Sequence, residues 1–144
     1  MIKIKLWTNN ISTQNINLIK LLKKSFNTEN ISVLNLVPNK TYVILIVINN
    51  IIIGTVSLIS NDDLISYFKT KTSNIESMIA NYSMKATSGV YIYNLAVNKD
   101  FRHQGIAKKL LNIAIYVAKL KKFNIENVFR NKKNKTIKLM TSWL

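Results

Sequence analysis

The 144-residue sequence contains no cysteine, one histidine, one proline, three glycines and only six acidic residues. Without cysteine there is no disulfide, no thiol nucleophile and no thiolate metal site, and a lone His103 does not make a histidine metal centre. No metal is expected. A single proline among 48% hydrophobic residues excludes a disordered or low-complexity chain. The length suits one domain over residues 1–144, with a core large enough to hold without staples.

Scarce acid leaves an excess of base: 21 Lys and Arg against six Asp and Glu, a formal charge of +15. Such a field concentrates anions, whether nucleic acid, anionic lipid or a phosphorylated cofactor. Arginine stands only at Arg102 and Arg130, and the lysines are not interleaved with aromatics that would stack bases. The accompanying wealth of isoleucine and asparagine fits an AT-biased coding sequence, so nucleic-acid binding is the less favoured reading. Met1–Asn10 lacks the apolar stretch of a signal peptide, which makes an intracellular, cytoplasmic location the expectation.

Ile2, Ile4 and Leu6 alternate with lysines as in a half-buried strand. Ser12 or Thr13 can cap a helix to about Phe26, with Ile16, Ile19, Leu22 and Phe26 at helical spacing beside Leu18 and Leu21. Tyr42–Ile59 approaches membrane-spanning length, but Asn49-Asn50 at its centre, Gly54 and the β-branched residues predict two buried strands joined by a two-residue turn. In Asn61–Gly89, Asp62 or Asp63 is expected to cap a helix over Leu64–Phe68, and Ser73–Glu76 has the spacing of a capping box. Val90–Val97 reads as a strand and Ile106–Leu120 as a helix; a lysine-rich loop then leads to a last strand at Thr136–Trp143.

Between that strand and helix, Gly105 stands at the helix entry, where the backbone can approach a ligand closely and the first-turn N–H groups lack intrahelical acceptors. Such an end suits phosphate. Lys108 and Lys109 put positive charge where the helix dipole disfavours it, which an anion nearby would offset.

Tyr93-Asn94-Leu95-Ala96-Val97, four intervening residues, and then Arg102-His103-Gln104-Gly105-Ile106-Ala107-Lys108-Lys109-Leu110-Leu111 resemble the R/Q-x-x-G-x-G/A signature behind the fourth strand of the GNAT superfamily of N-acetyltransferases. The upstream hairpin ending in Ile51–Leu58 fits the second and third strands of that family, and the resemblance covers roughly Met1–Leu120. It implies an α/β (α+β) fold: a mixed central sheet splayed at strand four, flanked by helices, with acetyl-CoA in the cleft. The backbone of Leu95, Ala96 and Val97 would then pair with the pantetheine arm, and Arg102, His103, Gln104, Gly105, Ile106, Ala107 and Lys108 would wrap the pyrophosphate. An amine, on a small molecule or a protein, would attack the thioester directly while a strand-four N–H stabilises the oxyanion.

Two departures from the family pattern bear on the chemistry. Val90–Val97 holds no acidic residue, and Tyr91 stands where some members carry a glutamate base, so the proton is assigned to water held by Tyr91, Tyr93 or Asn94; Tyr91 and Tyr93 fit equally well as core residues. No N-x-x-A-x-x-x-Y pattern follows Thr136–Trp143, so with the last family strands missing the domain is minimal, or a partner supplies the missing edge, or the chain is a shortened, inactive relative. An unprotected edge there suits a symmetric homodimer, unless the terminal segment folds back against Ile106–Leu120. The alternatives are a CoA-binding protein without turnover and, below it, a basic nucleic-acid binder.

Overall fold

The computed structural model describes residues 1–27, 36–69, 89–121, 128–132 and 135–139. The elements run β1 (Ile2–Leu6), α1 (Thr13–Phe26), β2 (Tyr42–Ile48), β3 (Ile51–Ser60), α2 (Asn61–Lys69), β4 (Val90–Val97), a 3₁₀ turn (Lys99–Phe101), α3 (Ile106–Leu120), β5 (Val128–Lys132) and β6 (Lys135–Leu139). One six-stranded sheet takes the strands in sequence order. Every neighbouring pair is antiparallel except β4 and β5, which are parallel and joined through α3, as a parallel pair requires a crossover. This is the mixed sheet flanked by helices that the sequence predicts.

Alternation along the strands divides the core. Ile44, Ile46, Val56, Leu58, Val90 and Ile92 pack on one face against Leu110, Leu111, Ala114, Ile115, Val117 and Ala118. On the other face, Val43, Leu45 and Val47 meet Leu18 and Leu22 of α1, together with Trp7. Beside them Val37, Ile59, Leu64, Tyr91 and Tyr93 form a third cluster that brings in α2. The hairpin turns on Asn49 and Asn50, both with positive φ (50° and 62°), the two-residue geometry that matches strand twist. Among the described residues no helix is long and apolar enough to cross a membrane.

Several local expectations shift. Ser12 caps α1, its side chain accepting from the Asn15 N–H, but the buried stripe is Asn15, Leu18 and Leu22, while Ile16 and Phe26 lie largely exposed. Asn15 turns inward because its side chain has partners there: Lys5 Nζ donates to its Oδ1, and its Nδ2 donates to the carbonyls of Thr8 (3.1 Å) and Asn10 (2.6 Å). The cap of α2 is Ser60 rather than Asp62 or Asp63: its Oγ accepts from the Asp63 N–H at 3.1 Å and donates to Asp63 Oδ2 at 2.9 Å. Among the described residues after α3 there are two strands where one was expected: β5 occupies part of the segment read as a lysine-rich loop, and β6, Lys135–Leu139, overlaps the expected strand Thr136–Trp143, whose last four residues lie outside the described residues. The capping box at Ser73–Glu76 lies outside the described residues.

Candidate active site

A strand that bends and a helix that starts beside its end make the site. Thr55 pairs with Ala96 and Ser57 with Tyr93, so Val56 of β3 faces two residues of β4, Asn94 and Leu95. This is a β-bulge, and Asn94 takes it up in the left-handed region at φ 53°, a conformation asparagine tolerates better than most residues. On its other side β4 pairs with β5 only through Val90, Tyr91 and Ile92. Beyond Ile92 the two strands part, and among the described residues Leu95, Ala96 and Val97 have no strand on that side. A parallel pair has thus split along half its length, and a bulge has re-aimed the exposed half.

The N-terminus of α3 sits beside this opening because of Gly54. A β-carbon there would come within 2.9 Å of Leu110 Cδ1 and 3.0 Å of Ile106 Cγ2. Its absence lets the first turn of α3 lie directly on β3. The link from β4 to α3 is equally ordered: the Asn98 N–H donates to the Ile53 carbonyl at 2.8 Å, the Asn98 side chain accepts from the Asp100 N–H at 3.1 Å, and Arg102 Nε donates back to the Val97 carbonyl at 3.1 Å. His103 and Gly105 both adopt positive φ, 63° and 77°, on either side of Gln104.

Gly105 is the N-cap of α3 and supplies no side-chain acceptor, so the N–H groups of Ile106, Ala107 and Lys108 keep the free ends that every helix start has. The first intrahelical bond runs from Lys109 N to Gly105 O at 3.1 Å. A β-carbon on Gly105 would meet nothing within 4 Å. The space over this turn is open, and Gly105, Lys108, Lys109, Asn112, Ile113 and Tyr116 line a groove leading along α3 from it. Open space, N–H groups and two lysines form a cradle whose chemistry fits the phosphates of a CoA ester.

The candidate base residues separate. Asn94 lies in the bulge itself. Tyr91 and Tyr93 are 1% and 2% exposed, with ring centroids 5.1 Å apart. The Tyr93 hydroxyl shares a 2.9 Å hydrogen bond with Thr41 Oγ1, which also accepts from the Val37 N–H at 3.0 Å. Burial raises the Tyr93 pKa well above that of a free phenol, against the smaller opposing effect of the Thr41 bond. Sequence reasoning did not single out the bulge, Gly54 as a seat for α3, or Asn98. The signal available for Gly54 was its isolation in a β-branched run, the usual mark of close approach by a neighbouring element.

A mixed sheet parted beside its fourth strand and followed by a glycine-entered helix is the arrangement that the sequence resemblance implies. The chain belongs to the GNAT acetyltransferase family, whose model matches residues 14–138, and it is an acyltransferase. No curated protein sequence matches it. Solved structures with this fold include an aminoglycoside acetyltransferase from an uncultured soil metagenomic sample, in complex with trehalose (24% identity, 91% of this chain and 77% of that one, TM-score 0.58). An acyl-CoA N-acyltransferase from Pseudomonas aeruginosa is similar over 90% of this chain and 75% of its own (13% identity, TM-score 0.64). A GNAT family acetyltransferase from Elizabethkingia anophelis with acetyl-CoA bound is similar over 91% and 65% (20% identity, TM-score 0.54). At these identities the likeness is one of fold.

Proposed function

We propose that this acyltransferase moves an acetyl group from acetyl-CoA to a primary amine by direct attack, at the opening between β4 and β5. The observation that carries the reading is the parting of those strands beyond Ile92 beside the uncapped start of α3. Along Leu95, Ala96 and Val97 the backbone groups of Leu95 and Val97 turn away from β3 and offer donors and acceptors to an extended amide-bearing arm, while those of Ala96 turn toward Thr55. Arg102, His103, Gln104, Gly105, Ile106, Ala107 and Lys108 form the cradle for its phosphates, the last three residues through backbone N–H groups. The solved neighbour with acetyl-CoA bound supports that choice of donor. The donor supplies a thioester carbonyl, activated because its thiolate is a good leaving group.

The chain's own part in the reaction is positional and electrostatic. A β4 N–H beside the bulge donates to the carbonyl oxygen as negative charge builds there. Asn94, in the bulge, holds the water that takes the amine proton, while Tyr91 and Tyr93 fix the strand behind it. That division rests on the fuller burial of the two tyrosines, 1% and 2% exposed against 8% for Asn94, on the place of Asn94 in the bulge, and on the Thr41 bond that engages Tyr93. The acceptor is an amine of a small molecule or a protein, and the aminoglycoside acetyltransferase among the neighbours favours a small polyamine. A cytoplasmic location, where acetyl-CoA is available, belongs to the same proposal.

The test is release of CoA thiol from acetyl-CoA across a panel of aminoglycosides, polyamines and lysine peptides. Thiol release that depends on the amine supports transfer. Tight CoA binding with no release for any amine would leave a binding protein instead.

A further inference from the structure

We propose that the free edge of β1 is a docking edge for an extended segment of a partner protein in which apolar and acidic side chains alternate. Among the described residues β1 is the outermost strand of the sheet, beside β2. Its backbone bonding is phased so that the edge is complete. Met1 and Val47 exchange both backbone bonds (3.0 and 2.8 Å), and the Trp7 N–H donates to the Thr41 carbonyl at 2.7 Å. In an antiparallel pair such residues alternate with ones whose N–H and C=O point away, so Ile2, Ile4 and Leu6 present theirs to the open side.

The side chains of those three residues share one face with Ile46, Ile44 and Tyr42. Ile44 and Ile46 are buried under α3, but Ile2, Ile4 and Leu6 remain 44%, 46% and 40% exposed. An apolar stripe therefore continues the core face outward to an edge whose outward backbone groups have no strand beside them among the described residues. Lys3 and Lys5 occupy the opposite face. Lys5 donates to Asn15 and lies 5.7 Å from the Trp7 ring centroid, and among the described residues no carboxylate pairs with either lysine. Burial, and then the neighbouring charge of Lys3, lower the Lys5 pKa. The positive charge here is unbalanced, in a molecule of net charge +15.

That charge selects the occupant. In a symmetric antiparallel pairing of two β1 strands with the apolar face kept in register, lysine meets lysine across the seam, and like charges directly opposite are destabilising. The same lysines that discourage self-pairing at an edge accept glutamate or aspartate from a different strand. Added strands gain affinity from main-chain bonds and specificity from alternate side chains, which here means apolar residues beside Ile2, Ile4 and Leu6 and acids beside Lys3 and Lys5.

The probe is a blocked, fluorescently labelled peptide of about eight alternating valines and glutamates, a typical strand length, titrated against the full chain by anisotropy. Saturable binding is expected, about tenfold or more tighter than that of the matching valine–lysine peptide. N-methylation along one edge of the peptide should abolish it. Lys3→Glu, at an exposed position, should weaken it about fivefold. Ile4→Pro should remove it while sparing β2, because the Ile4 N–H points outward; if that variant unfolds, the methylated peptide and Lys3→Glu decide. Absence of saturable binding, equal binding of the lysine peptide, or indifference to methylation overturns the proposal. So does self-association by sedimentation that Lys3→Glu strengthens, which would make a second copy the occupant.

Discussion

Gly54 and Gly105 lack the same atom for different reasons. At Gly54 a methyl would press on Leu110 and Ile106 at 2.9 and 3.0 Å, so Gly54→Ala must lift the first turn of α3 from β3. The expected cost is about 1–3 kcal/mol in urea unfolding, the range for overpacked cores, with acetyl-CoA affinity falling because the helix start leaves the β4 end. At Gly105 there is room for a side chain, but φ is +77°. Gly105→Val would strain the backbone whether or not a ligand binds, whereas Gly105→Asn keeps the left-handed conformation at small cost. Asparagine is therefore the informative replacement. Tyr93→Phe removes the hydroxyl bonded to Thr41 and should cost about 1 kcal/mol. Its pH dependence has a fixed sign: the folded state raises the Tyr93 pKa above the free value of 10.0. Below that pH both states hold the proton; above it the unfolded chain ionises first and stability falls as pH rises. The gap in urea midpoint between the parent and Tyr93→Phe should thus narrow above about pH 10.

Among the elements, those with strong local periodicity were legible before any coordinates. β4 runs Val90–Val97 and α3 runs Ile106–Leu120 as the pattern predicts, and the Asn49-Asn50 turn falls where a β-branched run is interrupted by two residues able to take positive φ. What escaped the pattern is non-local. Nothing in Tyr93-Asn94-Leu95 marks a bulge, because the extra residue is defined only against Thr55 and Ser57 across the sheet. β5 was hidden because Val128–Lys132 is short and ends in polar residues, and its strand character comes from its partners, Val90–Ile92 on one side and β6 on the other. The glycine-entered turn proposed to hold the cofactor stood out through its glycine and lysines; the burial of Tyr91 and Tyr93 did not, because it depends on α2 and on the loop carrying Val37 and Thr41. At this scale the bulge itself is testable. Asn94→Val, a β-branched residue forced into the left-handed region, should either straighten β4 or destabilise it by about 1–3 kcal/mol, and in both cases acetyl transfer should fall more than CoA binding.

For the molecule as a whole, a charge of +15 predicts that CoA, a polyanion, binds more weakly as salt is added, with most of the loss in the association rate. The expected homodimer through the C-terminal edge is now a question about β6, the outermost strand on that side among the described residues. Sedimentation over a concentration range would show a dimer if the edge is paired, and a monomer with full activity if it is not. The claim on which the rest depends is that acetyl-CoA occupies the opening between β4 and β5 with its phosphates at Gly105. Calorimetric titration of CoA into the parent protein and Gly105→Asn, with melting curves confirming that both fold, tests this directly. One-to-one binding by the parent, weakened about tenfold or more in Gly105→Asn, is the predicted result; undiminished binding by folded Gly105→Asn would contradict it.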